Sequence, residues 1–263
     1  MNKKALVVDS DFFFVEFLSG LLEKRGYRVR KAYDGKQGIA SLDEGPYDMV
    51  FAELVLPKVD GRQFFEVARR RFDGNRCPLV ALSGTLVEQM EDLDEIGADY
   101  FIAKGPIAKL SIRLNDFIAE LERHPGPAPA EKIILQTGGV FPRRDALELL
   151  GLLEFYRAAV NCLGVGMLIL DKDTRILNAN AAALSIFDRP LADLLNLPVM
   201  DAFPPNRSGD LSSALKATAR RCQSPPSAFF AGLKGRMVRA VLSPLCLNDQ
   251  PAGWVLALEG ALG

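Results

Sequence analysis

Up to about Glu122, short β-branched apolar runs alternate with stretches in which apolar residues recur at helical spacing. The runs Ala5–Val8, Tyr27–Lys31, Met49–Ala52, Leu79–Leu82 and Tyr100–Ala103 predict five strands. The near-continuous apolar character of Met49–Ala52 and Leu79–Leu82 suits strands covered on both faces. Helices are predicted over Phe12–Lys24, Gly35–Leu42, Gly61–Arg71, Leu86–Ile96 and Ile107–Leu121, with Gly26 as a helix stop before the second strand. Strand and helix in strict alternation give an α/β domain over 1–122, a doubly wound five-stranded parallel sheet with its loop chemistry at the carboxyl ends of the strands.

The pattern breaks over 123–143, where Pro125, Pro127, Pro129, Gly138 and Gly139 predict a linker. Residues 144–162 are leucine-rich and predict an amphipathic connecting helix, in which Leu149, Leu153, Tyr156, Val160 and Leu163 recur at alternating steps of four and three. That seam fits a short coiled coil between two copies, and equally a single helix packed within the chain. From 163 to 263 the order is a strand pair around Asp171-Lys172-Asp173 (Gly166–Leu170 and Thr174–Asn178), then helical Asn180–Phe187, then a longer helix over Asp210–Arg221. Three strands close it, Ala228–Leu233, Arg236–Leu245 and Ala252–Leu258, joined by turns at Lys234-Gly235 and Asn248-Asp249. This is an α+β domain with an antiparallel sheet.

Composition removes whole classes of function. A formal net charge of −1 over 263 residues gives no field to draw in nucleic acid or an anionic membrane. The apolar run after Met1-Asn2-Lys3-Lys4 is too short for a signal peptide or a membrane span, so a cytoplasmic protein is expected. Four cysteines, Cys77, Cys162, Cys222 and Cys246, lack any metal-ligand spacing and are expected to be reduced packing residues.

Four motifs stand at predicted strand ends in a fixed order: Val7-Val8-Asp9-Ser10-Asp11, Glu53-Leu54-Val55-Leu56-Pro57 with Asp60-Gly61, Leu82-Ser83-Gly84, and Ala103-Lys104. On these motifs the first domain resembles the flavodoxin-like receiver domain of bacterial response regulators. The resemblance implies an acidic pocket, an aspartate that accepts a phosphoryl group, a magnesium ion beside it, and an aromatic switch residue at Phe101. Two positions depart from that pattern, since Glu53 stands at the acceptor and Ser10 at the second acidic position. A carboxylate pushed one bond further into a site with octahedral metal geometry is misplaced for attack. A pseudo-receiver without useful phosphotransfer is therefore expected. Asp11 reaching inward would leave weak magnesium binding by Asp9, Asp11 and Glu53. Glu53 itself reads either as a mimic of the phosphorylated state, near Lys104 and Ser83, or as a residue of a disused pocket. Phe101, without a hydroxyl, reads as switch or as plain core.

The second domain resembles a PAS sensor domain, on Gly166–Asp171, Arg175–Asn180, the Ala181–Phe187 helix and the terminal strands with Trp254. Asn180 is placed to cap that helix. The lone histidine, His124, lies in the linker, which removes histidine-ligated haem, and Cys162 lacks a flavin-photosensor context, so no cofactor is expected. What remains is an apolar pocket or filled core of Leu168, Phe187, Phe203, Phe229, Val241 and Trp254. Together the two resemblances imply a non-enzymatic signal-transduction protein acting through other signalling proteins, such as a histidine kinase or a downstream regulator, and forming a homodimer. The alternatives are the sensory front of a histidine kinase, against which the ending Glu259–Gly263 counts, and a response regulator with residual phosphorylation.

Overall fold

The computed structural model describes residues 3–72, 77–84, 96–124, 133–135, 152, 155–204, 208–218, 222 and 224–260. It divides into two units, Met1–Leu149 and Leu150–Gly263. The first contains β1 (Lys3–Val8), α1 (Phe12–Glu23), β2 (Tyr27–Ala32), α2 (Gly35–Leu42), β3 (Met49–Glu53), α3 (Gly61–Arg71), β4 (Leu79–Ser83), β5 (Tyr100–Ala103), α4 (Ile107–Arg123) and β6 (Ile133–Leu135). The helix expected over Leu86–Ile96 lies outside the described residues except for Ile96.

All pairings in this sheet are parallel, in the order β2-β1-β3-β4-β5-β6. On one face Val7, Phe51, Leu82 and Ile102 pack with Val15, Leu18 and Leu22 of α1 and Leu110, Leu114 and Ile118 of α4. Three helices start on aspartates in the loops that follow β1, β2 and β3. Asp11 caps α1, Asp34 caps α2 and Asp60 caps α3, each accepting amide hydrogen bonds from the first turn. At α3 the Gln63 side chain returns a bond to the Asp60 amide, completing a capping box.

The sixth strand is an addition to the five legible in the sequence. It lies inside the stretch expected to be linker, where surrounding prolines and glycines mask the strand-forming Ile133-Ile134-Leu135. Its pairing with Tyr100–Ile102 satisfies backbone groups that β5 would otherwise present as an open edge.

The second unit contains β7 (Gly166–Asp171), β8 (Ile176–Ala179), α5 (Ala181–Phe187), α6 (Leu191–Leu194), α7 (Val199–Ala202), α8 (Ser208–Thr218), β9 (Ser227–Leu233), β10 (Arg236–Leu247) and β11 (Gln250–Gly260). Its antiparallel sheet runs β8-β7-β11-β10-β9. Both expected hairpin turns have positive φ at their central residues, 49° and 78° at Lys234-Gly235, and 50° and 59° at Asn248-Asp249. That backbone matches the right-handed twist of the flanking strands. Thr174, at φ 60°, belongs to the turn, so β8 starts two residues later than expected.

Two expectations are corrected in this unit. Val241 does not join the core, because Val238, Ala240 and Leu242 of β10 point inward and the alternation of the strand sends Val241 to the other face, where it is half-buried. Cys222 and Cys246 are not reduced packing residues but a disulfide pair, while Cys77 and Cys162 are free. Pairing across 24 residues depends on where the tertiary fold brings β10, which no local spacing announces.

Asn180 ties the start of the unit together. Its Oδ1 accepts from the Met167 amide (2.8 Å) and the Ala183 amide (2.9 Å), and its Nδ2 donates to the Val160 (3.1 Å) and Val165 (2.9 Å) carbonyls. Asn180→Ala is expected to destabilise the second unit by roughly 3 kcal/mol, since it removes a cap and strands buried backbone groups. Urea unfolding followed by Trp254, the chain's one tryptophan, reads this unit directly, and an unchanged midpoint would mean that the four bonds are dispensable.

Candidate functional site

Strand register builds the pocket of the first unit. Val8 pairs with Ala52, Glu53 with Leu82, and Ser83 with Ala103. The residues at or just beyond these pairs, Asp9, Glu53, Ser83 and Lys104, therefore fall in one row at the carboxyl edge of the sheet. Gly61 closes the loop after β3 onto that row, because a Cβ at this position would stand 2.3 Å from the Glu53 carbonyl oxygen. No other residue type lets α3 start so close to the strand end.

The Lys104 ammonium sits between two carboxylates, 2.5 Å from Asp9 Oδ2 and 2.5 Å from Glu53 Oε2. The Phe14 ring covers it, with the nitrogen 4.4 Å from the ring centroid. The second oxygen of Glu53 turns back onto its own strand end, accepting from the Leu54 amide at 2.8 Å and the Val55 amide at 3.3 Å. Asp9 Oδ1 accepts from the Asp11 amide at 3.0 Å. Asp9 is 1% exposed and Glu53 7%. Ser83 is buried, and its carbonyl accepts the Lys104 amide at 2.7 Å, locking the ends of β4 and β5 together. Phe101 is fully buried within β5.

Burial pushes the Glu53 carboxyl above its ordinary value, with Lys104 offsetting only part of this and Asp9 adding to it. For Lys104 burial works against the charge, yet Glu53 and Asp9 together outweigh it and hold the ammonium above its ordinary value. The cluster thus rests on a protonated lysine shared by two carboxylates.

A receiver-like pocket implies a magnesium ion, and the residues present do not fit one. Ser10 is exposed and supplies no carboxylate, and Asp11 is committed as the α1 cap, with Oδ1 accepting from the Phe13 and Phe14 amides. The Lys104 ammonium occupies the Oδ2 side of Asp9 and the Oε2 side of Glu53, and among the described residues no three His, Cys, Asp or Glu side chains are grouped to hold a metal.

Sequence reasoning missed three contributors here: the Phe14 ring and the Leu54 and Val55 amides. Phe14 belongs to the run Phe12-Phe13-Phe14 directly after the acidic motif, which is the signal that could have found it. Backbone amides leave no such trace.

In the second unit Leu168, Phe187 and Phe203 enter one buried core, with the Phe187 and Phe203 rings edge-to-face at 5.5 Å. Phe229 and Trp254 pack against that core half-buried. Of the expected seam, Tyr156 and Leu163 are exposed and Val160 is partly buried, whereas Leu149 and Leu153 lie outside the described residues.

Residues 5–114 match the response regulator receiver domain and residues 154–224 match the PAS fold. The chain carries a receiver domain followed by a PAS domain, the parts of two-component signalling proteins. The response regulator GtcR of Aneurinibacillus migulanus is 31% identical over 109 residues, 40% of this chain and 42% of that protein. The chain spans about half the length of the curated relatives it matches. Among solved structures, the chemotaxis response regulator CheY4 of Vibrio cholerae is similar over 45% of this chain and 99% of its own, at 19% identity and a TM-score of 0.40. A PAS domain from Colwellia psychrerythraea is similar over 41% and 96%, at 12% identity and a TM-score of 0.37.

Lys104→Met leaves two buried carboxylates facing each other and is expected to cost the first unit about 3 kcal/mol or more. The raised Glu53 value fixes the pH dependence. As pH falls the folded state binds this proton before the unfolded chain does, so stability tied to it is present below the unfolded value and lost as pH rises through the folded one. The deficit of the variant should therefore shrink on acidification, read as urea midpoints by circular dichroism. A deficit that grows at low pH would place the charge elsewhere.

Proposed function

We propose that this protein is a two-component signalling protein that works through protein contacts, with a pseudo-receiver that takes no phosphoryl group and a PAS domain that pairs two copies. The observation that carries the reading is the Glu53 carboxylate, held by Lys104 and by the Leu54 and Val55 amides at the place where the receiver family keeps its acceptor. A nucleophilic carboxylate needs a free oxygen in line with the incoming phosphorus and a metal to neutralise developing charge. Here both oxygens are engaged and the metal-binding side of the pocket holds an ammonium.

Exposed apolar side chains support a contact role. Phe12, Phe13, Val55 and Ile107 are all more than half exposed, and all lie in the segments that follow β1, β3 and β5, on the pocket edge of the sheet. The partners we assign are other signalling proteins, a histidine kinase or a downstream regulator, with no nucleic acid or membrane as ligand, and the location we assign is cytoplasmic. No enzymatic role is proposed. Among the described residues no helix is long and apolar enough to cross a membrane.

Incubated with acetyl phosphate and magnesium, the protein should show no added phosphoryl mass. A gain of one phosphoryl group, lost in Lys104→Ala, would instead make it a working response regulator with an unusual acceptor.

Pairing of copies rests on the seam Leu149, Leu153, Tyr156, Val160 and Leu163, of which Tyr156 and Leu163 are exposed. Sedimentation at high micromolar concentration should give a dimer that becomes monomeric when Leu153 and Val160 are both changed to Glu. A wild type that sediments as a monomer would return the seam to packing within the chain.

A further inference from the structure

We propose that Cys222 and Cys246 form a redox-modification site, opened by a dithiol reductant, whose state decides whether helix α8 stays seated on the core of the PAS unit. This stands independently of the phosphotransfer reading.

The two residues are joined in the structure, with Cα atoms 5.8 Å apart. Both residues are half-buried rather than sealed in the core, and attack by a solvent thiolate requires such exposure. The other two cysteines are free. Cys77 lies in the first unit, buried, with its thiol pushed up to about 12 mainly by that burial, and Cys162 is a free thiol on the surface.

What the bond ties down gives it consequence. Cys222 follows four residues after Thr218, the last residue of α8, whose Leu211 and Ala214 are buried in the PAS core. Thr218 is itself buried, donates through Oγ1 to the Ala214 carbonyl at 2.9 Å, and accepts from the Trp254 indole N–H at 2.9 Å. Among the described residues the helix end is tied to β11 by that hydrogen bond, and Cys222, four residues further on, is tied to β10 by a covalent bond.

The anchor on β10 is a weak point of the sheet. The β10–β11 register slips between Leu245 and Cys246, and Cys246 stands opposite Pro251, which has no amide hydrogen to donate. Once the disulfide is cut, this corner keeps the pairs Cys246–Pro251 and Leu247–Gln250 on the turn side of the slip and the ladder beyond it, and the helix keeps its buried Leu211 and Ala214 and the Trp254 bond. In the step itself a dithiol gives two electrons and two protons. The Cys222–Cys246 S–S bond breaks to two thiols while the reductant closes to its own disulfide.

The test uses the full chain carrying Cys162→Ser, which prevents pairing between molecules, equilibrated in mixtures of reduced and oxidised dithiothreitol. Alkylation and intact mass count the thiols, and Trp254 emission is read in the same samples. We expect Cys222 and Cys246 to become alkylated together in one transition, with emission shifting to the red in parallel. Amide exchange over 208–218 should quicken about tenfold or more in the reduced form. Adding Cys246→Ser should fix the reduced signature and abolish the dithiol response. If that variant does not fold, the reduced form of the intact pair supplies the same readout. The proposal is overturned if both cysteines alkylate fully under oxidising conditions. It is equally overturned if they pair but emission and exchange are identical in the two forms, which leaves only a static staple.

Discussion

The first unit is organised around one ammonium shared by two buried carboxylates. Charges removed from water must be paired, and here a single cation from the end of β5 pairs with anions from the ends of β1 and β3. Each carboxylate then satisfies its remaining oxygen on a backbone amide of its own loop. Because every partner is a strand end or the residue beyond it, the cluster fixes the relative positions of three strands. An incoming anion or metal would have to break a pair before it could make one.

That constraint decides between chemistries that share residue types. Asp9, Asp11 and Glu53 supply three carboxylates within one edge of the sheet, a count that alone could hold a cation. Asp11 is drawn away because α1 begins immediately after it and needs its first amides capped. Glu53 is drawn toward its own loop by its extra methylene, which lets the carboxylate curl back to the Leu54 and Val55 amides. The chain solves a helix end and a buried charge with the groups that metal-assisted phosphotransfer would use.

Much of this was legible in the sequence, and what was not has identifiable causes. Asp9, Glu53, Ser83 and Lys104 could be read because each follows an apolar run whose end is sharply marked, and parallel strands in register must bring such ends together. Val241 was misplaced because Val238–Leu242 is apolar at four of five positions, so period two has no polar residue to mark the outer face except Arg239. Ile133–Leu135 was hidden by the Pro- and Gly-rich composition around it, since propensity counts over a window outweigh three residues that gain stability only by adding to an existing sheet. The Cys222–Cys246 pair was invisible for a related reason, as it is a property of two places in the tertiary fold and of no motif.

A signalling device needs an element with two arrangements of comparable free energy, biased by the signal. The ion-paired pocket is a poor candidate for that element, because its alternative arrangement leaves a charge buried without a partner. The strength that holds three strand ends in place is the reason the pocket cannot easily serve as the moving part. In the PAS unit the corner at Cys246 has the opposite character. There the ladder slips, Pro251 offers no amide donor, and the helix that covers the core ends four residues before the Cys222–Cys246 bond. On the reading proposed above, bistability belongs where the packing is interrupted, at the Cys246 corner, rather than where paired charges have set the backbone hard.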